Sequence, residues 1–286
     1  MDEFGQFLQA VEINPTELCN LQCTFCPRAH GYPNQNLHMS IETAKTIRQQ
    51  LEDIKFAGKI YIAGRGEPTL TKNFPEILRV FLESSPRYEV TVTTNGKRID
   101  DCEEFYGHPN LQIKYDLYAT DVKEQERVYK KYGDVPNLKI NKKPDWGLLY
   151  NDLPSGVGEF KQLKRESQGN LQGLTNRGGF LGETGYEITD ASCVKVLTII
   201  YINWNGEYNL CCDDWEPISL SNIWDESIAD YVENNLILNK YREQLICQNS
   251  REDLHACSNC NRNSPVKNED KEKVNFIFKM REMTDD

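Results

Sequence analysis

Strand-like and helix-like segments alternate through the first half of the chain, and this alternation limits the folds that it can adopt. An α/β fold with a parallel sheet, either open or closed into a barrel, is therefore expected, with ligands bound at the carboxyl ends of the strands. Ser40 is the expected N-cap of the first helix. The pattern predicts strands at 11–14, 59–63, 88–93, 111–117 and 138–141, and helices at 41–54, 74–84, 100–106 and 121–132.

Three cysteines, Cys19, Cys23 and Cys26, follow the first predicted strand, where ligands bind in such folds. A structural zinc ion would need a fourth protein ligand, and His30 and His38 are the nearby candidates. An iron–sulfur cluster could instead be held by the three thiolates, with its fourth iron open to an exogenous ligand. The loop is therefore predicted to be either a zinc knuckle or a reaction site.

Composition and charge disfavour several classes of function. The net charge of −11 opposes binding to nucleic acid or to anionic lipid, both of which need clustered Lys and Arg. The acidic N-terminal segment is unlike a signal peptide, and the apolar run 196–202 is too short to span a bilayer. We expect a soluble, cytoplasmic protein, in which ten cysteines indicate metal or redox chemistry rather than disulfides.

The second half of the chain has a different pattern. Segment 144–190 is rich in Gly, Asn and Gln, and we interpret it as a long connection. From Cys193 onward, two β-rich runs flank Asn205-Gly206, a strong hairpin signal. A helix-like stretch at 226–245, the pair Cys257 and Cys260, and a charged tail follow. The pattern predicts a small second module.

The motifs of the first half resemble those of the radical S-adenosylmethionine (SAM) enzymes. The three cysteines have the CxxxCxxC spacing, with Phe25 before the last one. Gly64-Arg65-Gly66-Glu67-Pro68 resembles the GGEP motif, with Arg65 replacing a glycine, and Thr93-Thr94-Asn95-Gly96 resembles the TNG turn. The resemblance implies a partial (β/α) radical SAM barrel whose three cysteines bind a 4Fe–4S cluster. It further implies that SAM is bound by Phe25, Gly64, Gly66, Glu67, Pro68, Thr94, Asn95 and Asp116.

The cysteines of the second half resemble the auxiliary-cluster module of this family, called SPASM in its long form and twitch in its short one. The resemblance implies one auxiliary 4Fe–4S cluster without an open position, held by Cys193, Cys211, Cys257 and Cys260. Cys212 could replace Cys211 as a ligand, and four cysteines could also hold a structural zinc ion. The two cysteines outside both groups, Cys102 and Cys247, are expected to be buried apolar thiols, or alternatively hydrogen-atom donors.

The resemblance implies an oxidoreductase that uses a 5′-deoxyadenosyl radical to remove hydrogen from a small carbohydrate or aminocyclitol. The auxiliary cluster would accept the remaining electron, so that a secondary alcohol becomes a ketone in secondary-metabolite biosynthesis. We expect a monomer that receives electrons from a flavodoxin or ferredoxin. The alternatives are a peptide-modifying radical SAM enzyme, a redox-neutral epimerase or dehydratase, and a zinc-stabilised binding protein. The chain shows no added N-terminal domain that would grip a leader peptide, which favours a small molecule.

Two residues are candidates for catalytic contacts. Arg177, in the stretch Asn176-Arg177-Gly178-Gly179, is implied by the resemblance to reach the SAM carboxylate or a substrate hydroxyl, although an ordinary turn with a solvated arginine would have the same sequence. Glu12 lies on the first predicted strand and could bind a substrate amine or hydroxyl, but its orientation is open. Three aromatic residues could line a sugar cleft or belong to the core: Tyr115, Tyr118 and Trp146.

The predicted domains are a barrel at 1–190, an auxiliary domain at 191–265 and a tail at 266–286.

Overall fold

The computed structural model describes residues 3–23, 25–83, 87–118, 121–142, 148–150, 175–182, 188 and 190–284. The chain divides into two compact units. The N-terminal unit comprises Ala10–Asn170 and Ile202–Gly206, and the C-terminal unit comprises Met1–Gln9, Leu171–Tyr201 and Glu207–Asp286. Each unit contains one of the two cysteine groups.

The N-terminal unit is built on a parallel sheet whose strands follow one another in chain order. Its five strands are β1 (Ala10–Ile13), β3 (Lys59–Ile62), β4 (Glu89–Thr94), β5 (Leu111–Leu117) and β6 (Leu138–Lys142). Connections include helices α1 (Ile41–Asp53), α2 (Phe74–Leu82) and α3 (Val122–Tyr132). Strand β2 (Leu21–Cys23) pairs antiparallel with β7 (Leu148–Tyr150). This confirms the predicted α/β class, and parallel strands bring the loops after β1, β3, β4 and β5 to one edge of the sheet.

Sequence features account for these elements. Fully buried residues alternate along the strands, as at Val11 and Ile13 in β1, and helix α1 buries Ile47 and Leu51 one turn apart. The Ser40 side chain accepts a hydrogen bond from the Thr43 amide, which confirms the predicted N-cap. Helices α1 and α2 contact each other.

One predicted helix has a different geometry. Residues 100–106 were expected to form an α-helix, but the structure has a 3₁₀-helix at Ile99–Phe105. The buried side chains here are Ile99, Cys102 and Phe105, which are spaced three residues apart. A three-residue period matches the 3₁₀-helix, in which side chains at i and i+3 eclipse each other, so the correction has a visible cause in the sequence.

The predicted hairpin is present in the second half of the chain. Helix α4 (Lys195–Thr198) leads into β8 (Ile199–Ile202), and the strand after the turn, β9 (Glu207–Asn209), pairs antiparallel with β10 (Ser221–Asn222). Gly206 in the turn has a φ of 86°, a conformation that favours glycine. The Asn205-Gly206 signal thus correctly located the turn.

The helical part of the C-terminal unit departs from the prediction in two places. The stretch predicted as one helix at 226–245 is two helices, α5 (Ile228–Asn234) and α6 (Leu236–Arg242), followed by a π-helix at Glu243–Cys247. They divide at Asn235, whose side chain caps α6 by accepting from the Leu238 amide. The segment predicted as a charged tail contains helix α7 (Asn268–Thr284). None of the described helices is long and apolar enough to cross a bilayer.

Candidate active site and auxiliary cysteine group

The loop after β1 brings Cys19, Cys23 and Cys26 close to one another. Burial raises the pKa of the Cys19 thiol to about 12, and it also raises the pKa of Cys23, to which the charges of Cys26 and Cys19 contribute. Such mutual effects require thiols that are close neighbours. The Leu21 amide lies 3.5 Å from the Cys19 sulfur and donates to it. Hydrogen bonds of this kind to cysteine sulfur are one of the means by which proteins tune iron–sulfur clusters.

Asn34 and Cys23 fix the backbone of this loop. The Asn34 side chain accepts from the Cys19 amide at 2.9 Å and donates to the Cys19 carbonyl at 3.1 Å. The Cys26 amide donates to the Cys23 carbonyl at 2.8 Å, at the start of the 3₁₀-helix Pro27–His30. The cysteine backbone is therefore held by the protein itself.

A buried ionic network centred on Glu17 supports the same loop. The Glu17 carboxylate lies 3.2 Å from the guanidinium groups of both Arg28 and Arg65. Tyr32 and Asn14 also donate to it, at 3.2 and 2.9 Å. Sequence analysis missed this network, although Arg65 stands where the motif that it resembles has glycine. Arg65 joins the loop after β3 to the loop after β1.

The loop after β3 packs closely against the loop after β1. The Asn14 side chain accepts from the Arg65 amide at 3.0 Å, and the Glu67 amide donates to the Leu18 carbonyl at 2.8 Å. A Cβ on Gly66 would lie 2.1 Å from the Thr16 carbonyl oxygen, so only glycine fits. Gly64 has a φ of +128°. Pro68 is buried at the start of the short helix Pro68–Leu70.

We predict that Gly66→Ala disturbs this contact between loops, because the new methyl group would meet backbone. The expected cost is about 1–3 kcal/mol of unfolding free energy, as for other overpacked sites, together with weaker SAM binding. Urea unfolding and equilibrium dialysis with SAM would measure the two effects. Gly107→Ala is the control, since its Cβ would meet nothing within 4 Å and any effect there comes from its φ of +81° alone. Unchanged SAM affinity in Gly66→Ala would contradict the prediction.

Glu67 joins the end of β3 to the end of β4. Its buried carboxylate accepts from the Thr69 amide at 3.0 Å, from the Thr69 hydroxyl at 2.7 Å and from the Asn95 amide at 2.7 Å, and also from the Thr94 hydroxyl. Burial raises the pKa of this carboxyl, and these hydrogen bonds oppose the shift. The predicted SAM residues Glu67, Thr94 and Asn95 thus form one hydrogen-bonded group.

A cavity of about 420 Å³ opens beside this group, at the carboxyl ends of β4 and β5. Asn95, Tyr115 and Tyr118 are among the residues that line it. The Tyr118 ring stacks on Phe25, with centroids 6.1 Å apart. Because Phe25 lies between two of the cysteines, the cavity adjoins the three-cysteine loop. Its volume and position suit a small organic ligand.

The remaining predicted residues of this unit have defined positions. Asp116 lies within β5 and accepts from the Asn141 side chain at 3.2 Å. The strand register pairs Glu12 with Tyr61, and it places Glu12 and Asp116 on the same face of the sheet. Fully buried Val11 and Ile13 occupy the opposite face. His38 contacts the Thr16 hydroxyl and the Asn36 side chain, whereas Trp146 lies outside the described residues.

The second cysteine group lies within the C-terminal unit. Burial raises the pKa of both Cys257 and Cys211. The charges of Cys193 and Cys260 add to the shift of Cys257, and the charges of Cys212 and Cys257 add to that of Cys211. Direct contacts also join these segments: Arg262 donates to Asp213 at 3.0 Å, and the Cys260 amide donates to the Cys257 carbonyl at 3.2 Å. The Arg262 amide donates to the Cys260 sulfur at 3.4 Å. Cys193 forms a backbone bridge with Ser264, which joins the first cysteine segment to the last.

Cys212 has a different environment from Cys211. Its sulfur lies 2.8 Å from the ammonium nitrogen of Lys195. The same ammonium group contacts the Asp213 carboxylate at 3.0 Å. The charge of Cys257 contributes to the raised pKa of Cys211, after the larger effect of burial. This arrangement favours Cys211 as the fourth ligand of the auxiliary group, while the Cys212 sulfur accepts a hydrogen bond from Lys195.

The buried carboxylate of Asp213 is the centre of a group of cations. Its carboxylate contacts Lys195 at 3.0 Å, Arg177 at 3.2 Å and Arg262 through two hydrogen bonds. Burial alone would raise the pKa of Asp213, but the charges of these three cations lower it well below its ordinary value. The structure therefore places the Arg177 guanidinium on Asp213. The predicted contact of Arg177 with SAM or substrate stays a prediction.

The stretch that contains Arg177 packs on the loop of the last two cysteines. The Asn176 amide donates to the Asn261 side chain at 2.7 Å, and the Asn261 amide donates back to Asn176 at 3.1 Å. A Cβ on Gly178 would lie 2.7 Å from the Asp213 carbonyl oxygen. Sequence analysis missed this contact, because Asn176 and Asn261 are 85 residues apart.

The donor sets fit iron–sulfur clusters. Among the described residues, no three Cys, His, Asp or Glu side chains surround a single point as the ligands of one metal ion would. In a 4Fe–4S cluster each cysteine binds a different iron, so the sulfurs need only be neighbours. Both groups consist of buried or half-buried thiols with a backbone amide that donates to one sulfur, an arrangement that suits iron–sulfur clusters.

Two family models match the chain. The model described as the radical SAM superfamily matches residues 13–138, and the model described as an iron–sulfur cluster-binding domain, SPASM, matches residues 193–261. Together they cover more than half of the chain, and each includes one cysteine group.

Individual relatives match over most of the chain. The S-adenosyl-L-methionine-dependent 2-deoxy-scyllo-inosamine dehydrogenase of Niallia circulans is 24% identical over 253 residues, which are 88% of this chain and 92% of the relative. The crystal structure of BtrN in complex with AdoMet and 2-DOIA has a TM-score of 0.67 and 22% identity, covering 91% of this chain and 95% of that one. The structure of SuiB of Streptococcus suis, bound to the precursor peptide SuiA, has a TM-score of 0.58 and 15% identity. This match covers 89% of the present chain and 70% of SuiB. At these identities the solved structures establish the fold.

Proposed function

The chain belongs to the radical SAM superfamily, and from this we propose that it oxidises a secondary alcohol of a small carbohydrate or aminocyclitol to a ketone. One observation carries the proposal: a second group of four neighbouring thiols, Cys193, Cys211, Cys257 and Cys260, accompanies the three-cysteine loop. Four cysteines saturate a cluster, which suits electron transfer rather than substrate activation. The match to the aminocyclitol dehydrogenase spans both groups.

The residues of this chain would have the following roles in this reaction. Cys19, Cys23 and Cys26 would hold the cluster that binds SAM, and the group around Glu67 would hold the methionine end of SAM. The cavity beside Tyr118 is where this unit can exclude water from a reactive species. When bound, SAM and the two clusters supply an organic radical that takes one hydrogen atom from the substrate carbon, and an acceptor for the one electron that remains. The hydroxyl proton leaves to solvent, which completes a two-electron oxidation.

We also propose the partners of the enzyme, its location and its domain boundaries. The substrate is a small molecule, and the electron needed to start the reaction comes from a flavodoxin or ferredoxin. We propose that the enzyme acts as a monomer, in the cytoplasm, without binding nucleic acid or membrane. The predicted domains, 1–190, 191–265 and 266–286, remain our proposal for the domain organisation.

We predict that Cys257→Ser stops ketone formation and leaves SAM cleavage intact, because the auxiliary group would lose one ligand while the three-cysteine loop keeps all of its own. Anaerobic assays with 2-deoxy-scyllo-inosamine would measure 5′-deoxyadenosine and ketone by mass spectrometry, with one SAM consumed per ketone in the parent enzyme. Cys247→Ser, in the π-helix outside both groups, is the control and should form ketone at the parent rate.

Other outcomes would redirect the assignment. Full ketone formation by Cys257→Ser would contradict an electron-accepting auxiliary cluster. An epimerised substrate without net oxidation, lost in Cys247→Ser, would replace the dehydrogenase with a redox-neutral enzyme. Colourless protein with stoichiometric zinc after anaerobic purification would overturn the assignment to radical chemistry.

A further inference from the structure

Arg251 is a buried cation that joins two cysteine segments of the C-terminal unit. Only 9% of the residue is exposed. Its guanidinium donates to the carbonyl of Ala191 at 2.8 Å, to that of Cys260 at 2.7 Å and to that of Arg262 at 2.8 Å, with a longer contact of 3.5 Å to Ser192. One side of the group therefore holds the backbone just before Cys193, and the other side holds the backbone at Cys260.

The partners of Arg251 are all neutral. Within the described part of the chain, no carboxylate forms an ion pair with this guanidinium; its hydrogen bonds go to carbonyl oxygens. A buried charge is costly unless it is balanced. This differs from the neighbouring cations Lys195, Arg177 and Arg262, which share the carboxylate of Asp213.

The four cysteines would supply the missing negative charge when they bind a cluster as thiolates. The guanidinium of Arg251 donates to the carbonyl of Cys260 on one side and to the backbone just before Cys193 on the other, so its charge lies beside two of the four cysteine segments. Four thiolates around a 4Fe–4S cluster give the whole assembly a net negative charge, and reduction adds one more. A fixed buried cation stabilises the reduced form more than the oxidised form, because electrostatic interactions are strong in a medium of low dielectric constant.

We propose that Arg251 is a positioning residue that balances the charge of the auxiliary cluster and raises its reduction potential, so that the cluster can accept the electron left on the substrate. The inference rests on the proposed function, since it presumes a redox-active auxiliary cluster. In the balanced redox step, the substrate carbon radical would lose one electron to the group held by the four cysteines, and the hydroxyl proton would be released to solvent. The flavodoxin or ferredoxin would then take up this electron.

The test isolates the auxiliary cluster in the full-length chain. In a background with Cys19, Cys23 and Cys26 all replaced by serine, iron analysis and an electron paramagnetic resonance redox titration report this cluster alone. Arg251→Gln keeps hydrogen-bond donors but removes the charge, and its midpoint potential should shift to a more negative value. Arg251→Lys keeps the charge, and its potential should stay near that of the background. Arg242→Gln is the control, because Arg242 is also buried, with 2% of the residue exposed, and donates to the carbonyls of Val196 and Val232. This variant should lower stability without moving the potential.

The possible outcomes separate the inference from the function on which it rests. A background protein without iron or without a redox-active signal would overturn the auxiliary cluster itself. An iron-loaded Arg251→Gln with an unmoved potential would overturn the role of Arg251 and leave the proposed function standing. Loss of iron from Arg251→Gln but not from Arg251→Lys would support the charge argument. Equal loss of iron from Arg251→Gln and Arg251→Lys would show that Arg251 acts only in the structure of the loop, and would overturn the inference.

Discussion

Replacing Cys23 with serine is expected to reduce the release of 5′-deoxyadenosine from SAM to background. Cys23 is buried in β2, and the charges of Cys19 and Cys26 act on its thiol. Three protein ligands leave no redundancy, since the fourth iron position is needed for SAM. Serine preserves the volume of the side chain but replaces a soft thiolate, the ligand that iron–sulfur clusters use, with a hydroxyl. Chromatographic assay of 5′-deoxyadenosine after dithionite reduction would measure the loss.

Cys257→Ser makes the matched comparison, because the same chemical change is made in the other cysteine group. It should retain SAM cleavage, so the two variants would fail at different steps. Iron content should fall in both, by the share of one cluster each. If Cys23→Ser cleaved SAM at the parent rate, the loop after β1 would not be the site of SAM activation.

The sheet and the cysteine groups could be predicted from local sequence. The five parallel strands could be predicted because short strand-like runs, such as the alternating apolar and polar residues of β5 (Leu111–Leu117), are each followed by a turn. The hairpin was predicted from two residues, Asn205 and Gly206. In each case the signal and the structure that it specifies lie within one short segment.

Helix α7 was missed because its apolar face is narrow. Val274 and Ile277 are buried, and Phe278 lies against Phe4, with ring centroids 5.4 Å apart. Charged residues surround these positions in the sequence, so the segment resembles a solvated tail. The spacing of Val274, Ile277 and Phe278 is helical, and it is the one signal that could have revealed the helix. Its aromatic partner lies at the other end of the chain.

The ionic groups could not be predicted because their members are distant in sequence and ordinary in type. Arg28 and Arg65 are 37 residues apart, yet both contact Glu17. Arg251 reaches Ala191 across 60 residues. A lone arginine in a sequence is more often solvated than buried. Only the fold brings these charges together, so the supports of both cysteine groups were not visible in the motifs.

Glu17→Gln is expected to destabilise the N-terminal unit by about 3–5 kcal/mol, the range for breaking a buried ion pair by removing one partner. Glutamine has nearly the same shape as glutamate, so packing is preserved while the negative charge is lost. Arg28 and Arg65 would then be left buried together without the carboxylate that both now contact. Anaerobic urea unfolding followed by far-ultraviolet circular dichroism would measure the loss of unfolding free energy.

The effect of Glu17→Gln should extend to the three-cysteine loop, because the contacts are continuous. Arg28 also donates to the Pro33 carbonyl and to the side chain of Asn34, which holds the Cys19 backbone on both sides. Faster amide hydrogen exchange at residues 17–34 and reduced iron retention should therefore accompany the lower stability. Glu52→Gln is the control: Glu52 pairs with Arg48 on the surface of α1, with both side chains 30% exposed, and its loss should cost about 1 kcal/mol or less. If the two variants were equally stable, the buried arginines would be balanced without Glu17, and this carboxylate would not support the loop.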